Sequence, residues 1–128
     1  MSNRNRPISP HLQIYKPQLT SILSITHRLT GMGLAFGSLA LVYFLVSLMN
    51  GPESYEATKH FFRSWIGLAL LFGCALGVSF HILNGIRHLF WDAGRGLDLK
   101  SVYASGWITI IGTLLLTGLI SGIVLCQL

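Results

Sequence analysis

The stretch LTGMGLAFGSLALVYFLVSLMNGP, residues 29–52, contains no Asp, Glu, Lys or Arg. Its apolar residues run on without the alternation of apolar and polar positions that a strand of a membrane β-barrel shows. About 20 predominantly apolar residues are enough to cross the hydrocarbon core of a bilayer as an α-helix. This stretch therefore predicts a transmembrane helix.

Two further charge-free stretches, residues 64–86 and 101–128, have the same character. Hydrophobic residues make up 52% of the 128-residue chain, and charged residues make up only 10%, against about 25% in soluble domains. Nine basic and four acidic side chains would cover the large surface of a small soluble domain poorly. The composition excludes a soluble globular protein and predicts an all-α integral membrane protein with three transmembrane helices.

Residues that break helices set the expected boundaries. Gly51 and Pro52 end the first helix, Gly94 and Gly96 end the second, and Ser101 caps the third. We expect a single membrane-anchor domain over residues 1–128. Its expected parts are an N-terminal segment at 1–20 and helices at about 21–49, 62–91 and 102–127.

Basic residues indicate the orientation of the three helices. Seven of the nine precede the apolar part of the first helix or belong to the loop expected after the second: Arg4, Arg6, Lys16, Arg28, Arg87, Arg95 and Lys100. The first loop holds only Lys59 and Arg63. Because cytoplasmic loops are enriched in Lys and Arg, an up-down-up bundle with its N-terminus on the cytoplasmic or matrix side is expected. The net charge of +5 is therefore assigned to topology and membrane lipid, and not to nucleic acid.

Two clusters of polar residues lie at the inner ends of the first two predicted helices. Inserting an ionisable side chain at the middle of a transmembrane helix costs roughly 2.5–3.5 kcal/mol of free energy, so such residues usually have a functional or structural role. At 3.6 residues per turn, the members of each cluster share one helix face. The first cluster is Ser24, His27, Arg28 and Gly31, and the second is His81, Asn84, Gly85 and His88. In the expected topology both clusters lie at the inner leaflet.

These residue types point to redox chemistry. An imidazole at depth, His81, is a candidate axial ligand of haem iron, and His27 and Arg28 are nearer the surface, where haem propionates need cationic partners. Ser24 and Arg28, one turn apart, are candidates to hydrogen-bond a quinone carbonyl and stabilise the negative charge of its reduction.

Plainer interpretations of these residues stay open at this point. The histidines are also compatible with packing, Arg28 with snorkelling to the interface, and Ser24 with a bond to its own helix. A haem held within the chain by His27 and His81 together is a further alternative.

Glycine pairs with GxxxG spacing occur once in each helix: Gly33 and Gly37, Gly73 and Gly77, and Gly118 and Gly122. Such pairs let helix backbones approach closely. We expect them to serve helix packing, in part against partner subunits.

Three segments carry a family resemblance: RPISPHLQIY (residues 6–15), SITHRLTG (24–31) and HILNGIRHLFWD (81–92). In this order and spacing, the chain resembles the cytochrome b membrane-anchor subunit of succinate dehydrogenase (succinate:quinone oxidoreductase, respiratory complex II). The similarity covers the whole chain in length and helix number.

The resemblance implies a haem b shared between two subunits. His81 would be one axial ligand of the iron, and a second hydrophobic anchor subunit would supply the other. His27 and Arg28 would lie near the haem propionates. His88 matches the motif as a weaker haem contact, and Asp92 matches it without an assigned role.

The resemblance also implies a ubiquinone pocket lined by Ser24, Ile25 and Arg28, beside the iron–sulfur subunit. Succinate would be oxidised at a flavin in the flavoprotein subunit, so this chain would be part of an enzyme without dehydrogenase activity of its own. Since no transit peptide is recognised, a multi-pass protein of the bacterial inner membrane is expected, or of the mitochondrial inner membrane if organelle-encoded. The alternative is a structural anchor or small transporter subunit without haem.

Overall fold

The computed structural model describes residues 14–127 as four α-helices without strands. Their bounds are α1, Leu19–Met49; α2, Pro52–Arg63; α3, Trp65–Asp92; and α4, Leu99–Gln127. The helices α1, α3 and α4 are long and apolar enough to cross a membrane. The predicted all-α fold with three membrane-spanning helices is confirmed for this part of the chain.

Most of the first motif lies outside the described residues. The part concerned is residues 6–13, which include Arg6 and His11. Arg4 and most of the N-terminal segment predicted at 1–20 also lie outside them.

Glycine and proline end the helices where the sequence predicts. Gly51 has a φ of 99°, and Gly94 and Gly96 have φ of 71° and 70°. Glycine adopts such positive φ values without the steric penalty of a side chain, so the chain turns at these points. Pro52 is the first residue of α2, where its missing N–H breaks no helical hydrogen bond.

The short helix α2 was not expected from the sequence, which predicted no helix between about residues 49 and 62. Phe44 of α1 meets Tyr55 and Phe62 edge-on, with ring centroids 6.1 and 6.3 Å apart. Thr58 is buried on the same side, while His60 is exposed. The helix therefore lies against the C-terminal end of α1 and the start of α3.

Contacts between α1 and α3 pair early residues of one helix with late residues of the other. His27 stacks on His81, and Phe44 packs on Phe62 next to the start of α3. The two helices therefore run in opposite directions, and the start of α1 meets the end of α3. This places the histidine clusters together, at the end of the bundle away from α2.

Glycines outside the GxxxG pairs also lie where two helices approach each other closely. A Cβ on Gly106 would lie 2.9 Å from Leu19, and one on Gly112 would lie 3.0 Å from Leu83. Gly37 and Gly77 do face the neighbouring helix, at 3.4 Å from Cys74 and 3.5 Å from Leu34. Apart from the chain neighbours and the backbone of the same helix, no atom of the described residues lies within 4 Å of a Cβ placed at Gly33, Gly73, Gly118 or Gly122. For these four glycines, packing against a partner subunit stays a prediction.

Most apolar side chains point away from the bundle. Over its 31 residues, α1 buries only Leu23 and Ser47. The buried positions of α4 are small or hydroxylated: Gly106, Thr109, Thr113 and Thr117. The chain thus keeps small residues for its own helix contacts and presents large apolar ones to its surroundings, as suits a protein whose solvent is lipid.

Candidate functional site

Three histidines meet where α1 and α3 contact each other. The rings of His27 and His81 are stacked, with centroids 4.0 Å apart and an interplanar angle of 7°. His88, two turns after His81 on α3, has its ring centroid 5.3 Å from that of His27. The structure therefore brings together the histidines that the sequence assigned to separate clusters.

His81 is half-buried and held against α1 by two neighbouring residues. A Cβ at Gly31 would lie 3.0 Å from His81 Cε1, so the missing side chain of Gly31 makes the space that the imidazole fills. Thr30 Oγ1 lies 3.3 Å from His81 Nδ1. Because Nδ1 faces Thr30, Nε2 is the ring nitrogen left for a partner outside the chain.

His27 is enclosed more tightly. Its ring lies between those of His81 and His88, and its Cε1 is 3.8 Å from a Cβ placed at Gly85. Its Nδ1 is buried and has no hydrogen-bond partner among the described residues. Because buried polar atoms in native proteins are nearly always hydrogen-bonded, this nitrogen suits a polar group supplied from outside the chain.

Arg87 is buried between α3 and α4, with 5% of its surface exposed. Its guanidinium donates hydrogen bonds to Ser105 Oγ at 3.0 Å and to the Val102 carbonyl oxygen at 3.0 Å, with a longer contact of 3.4 Å to Asn84 Oδ1. It also lies over the Trp91 ring, 4.1 Å from the centroid. The assignment of Arg87 to a loop is therefore wrong, because its charge is used inside the bundle.

The three residues expected to line a quinone pocket lie on α1, beside the histidines. Arg28 is exposed, Ser24 is half-buried, and Ile25 is 57% exposed. All three therefore remain accessible from outside the chain. Asp92, also exposed, is the last residue of α3.

The arrangement is not that of a metal centre closed within one chain. Over residues 14–127, no three side chains of the His, Cys, Asp or Glu type are grouped as metal ligands. His27 and His81 present parallel ring faces to each other. Two rings stacked face to face do not each direct a nitrogen at one shared metal ion, so the alternative of a haem held by His27 and His81 together would not fit this arrangement.

The sequence did not indicate two residues that contribute to the packing around the histidines, Thr30 and Arg87. Thr30 follows His27 by three residues, a spacing that places it on the same helix face, but nothing in the sequence says that it reaches His81. Arg87 follows Asn84 by the same spacing, and its partners Val102 and Ser105 belong to another helix. Only the packing of α3 on α4 reveals them.

Comparison with known proteins finds similar membrane subunits. The profile of one protein family, described as succinate dehydrogenase/fumarate reductase transmembrane subunit, matches residues 2–120. Similar curated proteins include the succinate dehydrogenase cytochrome b556 subunit of Paracoccus denitrificans, 38% identical over 112 residues, covering 88% of this chain and 86% of that protein. The protein of the same name from Rickettsia conorii is 41% identical over 119 residues, covering 90% of each chain.

A third relative is the succinate dehydrogenase cytochrome b560 subunit of Reclinomonas americana. It is 39% identical over 128 residues, covering 95% of this chain and 88% of that protein.

Proposed function

The chain belongs to the family of succinate dehydrogenase/fumarate reductase transmembrane subunits, and from this membership we propose that it supplies one haem ligand and part of a ubiquinone-reduction site. It is a membrane protein of a respiratory oxidoreductase family. Electrons taken from succinate at the flavoprotein subunit would reach it through the iron–sulfur subunit.

The haem role assigns His81 as one axial ligand. The names of the relatives contain cytochrome b, which implies haem b. The proposal rests on the surroundings of His81. Gly31 leaves space for the imidazole ring, and Thr30 contacts its Nδ1. Nε2 is then the ring nitrogen that would coordinate the iron. A bound haem b would supply a one-electron centre close to the quinone. The second ligand is assigned to the sister anchor subunit, since the ring of His27 is stacked face to face on that of His81.

Three side chains are proposed to contact the haem edge. His27 has a buried Nδ1 without a partner among the described residues, and His88 lies beside it. Arg28, one residue further along α1, would place a cation near a propionate. All three lie at the end of the bundle away from α2, where the polar edge of a haem would meet the membrane surface.

The quinone role rests on Ser24 and Arg28. A hydroxyl and a guanidinium one helical turn apart can both donate to one carbonyl oxygen. These hydrogen bonds strengthen as negative charge develops on that oxygen during reduction, which is how such donors accelerate the step. Ile25, which follows Ser24 on α1 and is largely exposed, would pack against the ring.

We place the chain as an up-down-up bundle of one domain, with its N-terminus on the cytoplasmic or matrix side. The inner bacterial membrane, or the mitochondrial inner membrane for an organelle-encoded chain, is the proposed location. The histidine end would then face the iron–sulfur subunit, and the exposed apolar faces of the helices would meet lipid and the second anchor subunit.

The haem assignment is tested by replacing His81 in the complete complex. His81→Ala should remove the haem b band from the reduced-minus-oxidised absorbance spectrum, while the control His60→Ala, an exposed residue of α2, should keep it. An unchanged band in His81→Ala would overturn the ligand role and favour the alternative of an anchor whose histidines only pack.

The quinone assignment is tested by Ser24→Ala and Arg28→Leu. Removing one such donor is expected to lower the rate of succinate-driven ubiquinone reduction about 10²-fold. Reduction of an artificial dye by the peripheral subunits should stay unchanged. The control is Ser38→Ala, an exposed serine of α1 bonded only to its own helix. Equal quinone activity in all three variants would move the pocket elsewhere.

A further inference from the structure

Thr30 stands between the backbone of α1 and the imidazole of His81. Its hydroxyl oxygen lies 2.9 Å from the Thr26 carbonyl oxygen and 3.0 Å from that of His27, and both are donations into its own helix. The same oxygen lies 3.3 Å from His81 Nδ1 on the facing helix. One hydroxyl therefore serves three polar neighbours.

The direction of the bond to His81 follows from a proton count. A hydroxyl has one hydrogen and two lone pairs. The two short contacts to carbonyl oxygens engage that hydrogen, because a carbonyl oxygen can only accept. Towards Nδ1 the oxygen then has only a lone pair to offer. With the hydroxyl hydrogen engaged in this way, the 3.3 Å contact is a hydrogen bond when Nδ1 carries the proton of a neutral imidazole, which leaves Nε2 unprotonated.

We propose that Thr30 is a positioning residue that fixes His81 in the Nδ1–H tautomer and so directs its Nε2 lone pair outward as an iron ligand. This inference rests on the proposed role of His81 as an axial ligand. A histidine that binds a metal commonly donates its second ring N–H to an acceptor, which orients the ring and makes the ligating nitrogen more basic. Thr30 supplies that acceptor from a different helix, next to the space left by Gly31.

A purely structural role for Thr30 makes a different prediction. Thr113 also bonds to the carbonyl oxygen four residues earlier, at 2.7 Å, and is buried between helices without contact to a histidine. If the hydroxyl of Thr30 served only its own helix, replacing either threonine by valine would have the same effect. The two residues are therefore a matched pair.

The test measures the midpoint potential and the haem content of the complete complex in Thr30→Val, Thr30→Ser and Thr113→Val. Valine keeps the shape of threonine without the hydroxyl, whereas serine keeps the hydroxyl. A less basic His81 binds ferric iron less well, so Thr30→Val should lower the ferric-to-ferrous affinity ratio about tenfold. For a one-electron couple this is a positive shift of about 59 mV. Thr30→Ser and Thr113→Val should match the wild type.

The proposal is overturned if Thr30→Val keeps the wild-type potential and haem content. It is equally overturned if Thr30→Ser changes both as much as Thr30→Val, since the methyl group would then be responsible. If the valine variant does not assemble, Thr30→Ala replaces it and is compared with Thr30→Ser by the same criteria. Loss of the haem band in His81→Ala, with no change in Thr30→Val, would reject this inference alone. Retention of the band in His81→Ala would reject the haem role itself.

Discussion

Gly31 shows how one missing methyl group can decide whether a ligand fits. His81 Cε1 lies 3.0 Å from the position that a Cβ would occupy at Gly31, which is closer than ordinary van der Waals contact. Gly31→Ala should therefore displace the imidazole or force α1 and α3 apart, at a cost of about 1–3 kcal/mol for overpacking. We expect reduced haem content in the purified complex, measured from the reduced-minus-oxidised spectrum.

The control for this prediction is Gly33→Ala, on the same helix. Apart from its chain neighbours and the backbone of its own helix, no atom of the described residues lies within 4 Å of a Cβ at Gly33, so the added methyl group meets no facing helix of the described chain. Equal haem content in the two variants would show that the space at Gly31 does not matter to His81.

At the same scale, the sequence was informative about the histidines and silent about their neighbours. His27 and His81 stand out because an ionisable group inside an apolar helix needs a reason. Thr30 does not stand out, because threonine is common in membrane helices, and Gly31 is placed on the helix face of His27 without any sign that it makes room for His81. Their importance comes only from what lies opposite them.

At the scale of the helices, the side chain of Arg87 on α3 forms hydrogen bonds with α4. Lysine would keep the charge at this position but lose the planar fork that serves several acceptors at once. Arg87→Lys should lose the guanidinium hydrogen bond to Ser105 Oγ or to the Val102 carbonyl oxygen, and a hydrogen bond from a charged group contributes about 1.5–3 kcal/mol. The expected result is a lower thermal midpoint of the purified complex.

Arg95→Lys is the matched control, since Arg95 is exposed in the turn between the same two helices. If the two variants have the same thermal midpoint, the hydrogen bonds of Arg87 add no stability.

The start of α4 differs from the expectation that Ser101 caps it. The helix begins at Leu99, and the Asp98 carboxylate accepts a hydrogen bond from the Ser101 backbone N–H at 2.9 Å. Asp98 has the capping role because its side chain directly precedes the helix and reaches an N–H of the first turn. That hydrogen bond lowers the pKa of Asp98 below its ordinary value.

The lowered pKa of Asp98 determines how the stability of the protein changes with pH. The stabilisation by Asp98 is complete above the ordinary pKa of aspartate and is lost as the pH falls through the lowered folded-state pKa. Asp98→Asn keeps an acceptor that does not titrate. The thermal midpoint of the wild type should therefore fall towards that of Asp98→Asn in acid, and parallel profiles of the two proteins would contradict the role of the carboxylate.

For the whole molecule, the charges predict which end lies inside. Arg87 is buried within the bundle and is not counted. Arg28, Arg95 and Lys100 lie at the histidine end of the bundle, whereas Lys59 and Arg63 lie on α2 at the other end. A single cysteine at position 95 should react with an impermeant maleimide only in inside-out vesicles. One at position 59 should react only in right-side-out vesicles.

This labelling requires that the two native cysteines, Cys74 and Cys126, be replaced by serine, because both are free thiols. Labelling of both positions from the same side would refute the proposed topology.

The sequence by itself determined the membrane class, the number of spanning helices and the family. Long charge-free stretches have one solution in lipid, a helix that satisfies its own backbone, and the three motifs are readable in order along the chain. The contact of Thr30 with His81 and the burial of Arg87 were decided by tertiary structure. These contacts depend on how each helix is rotated and shifted against its neighbours. That fit is set where small residues of α1 and α4, such as Gly31, Gly106 and Gly112, meet side chains of a facing helix.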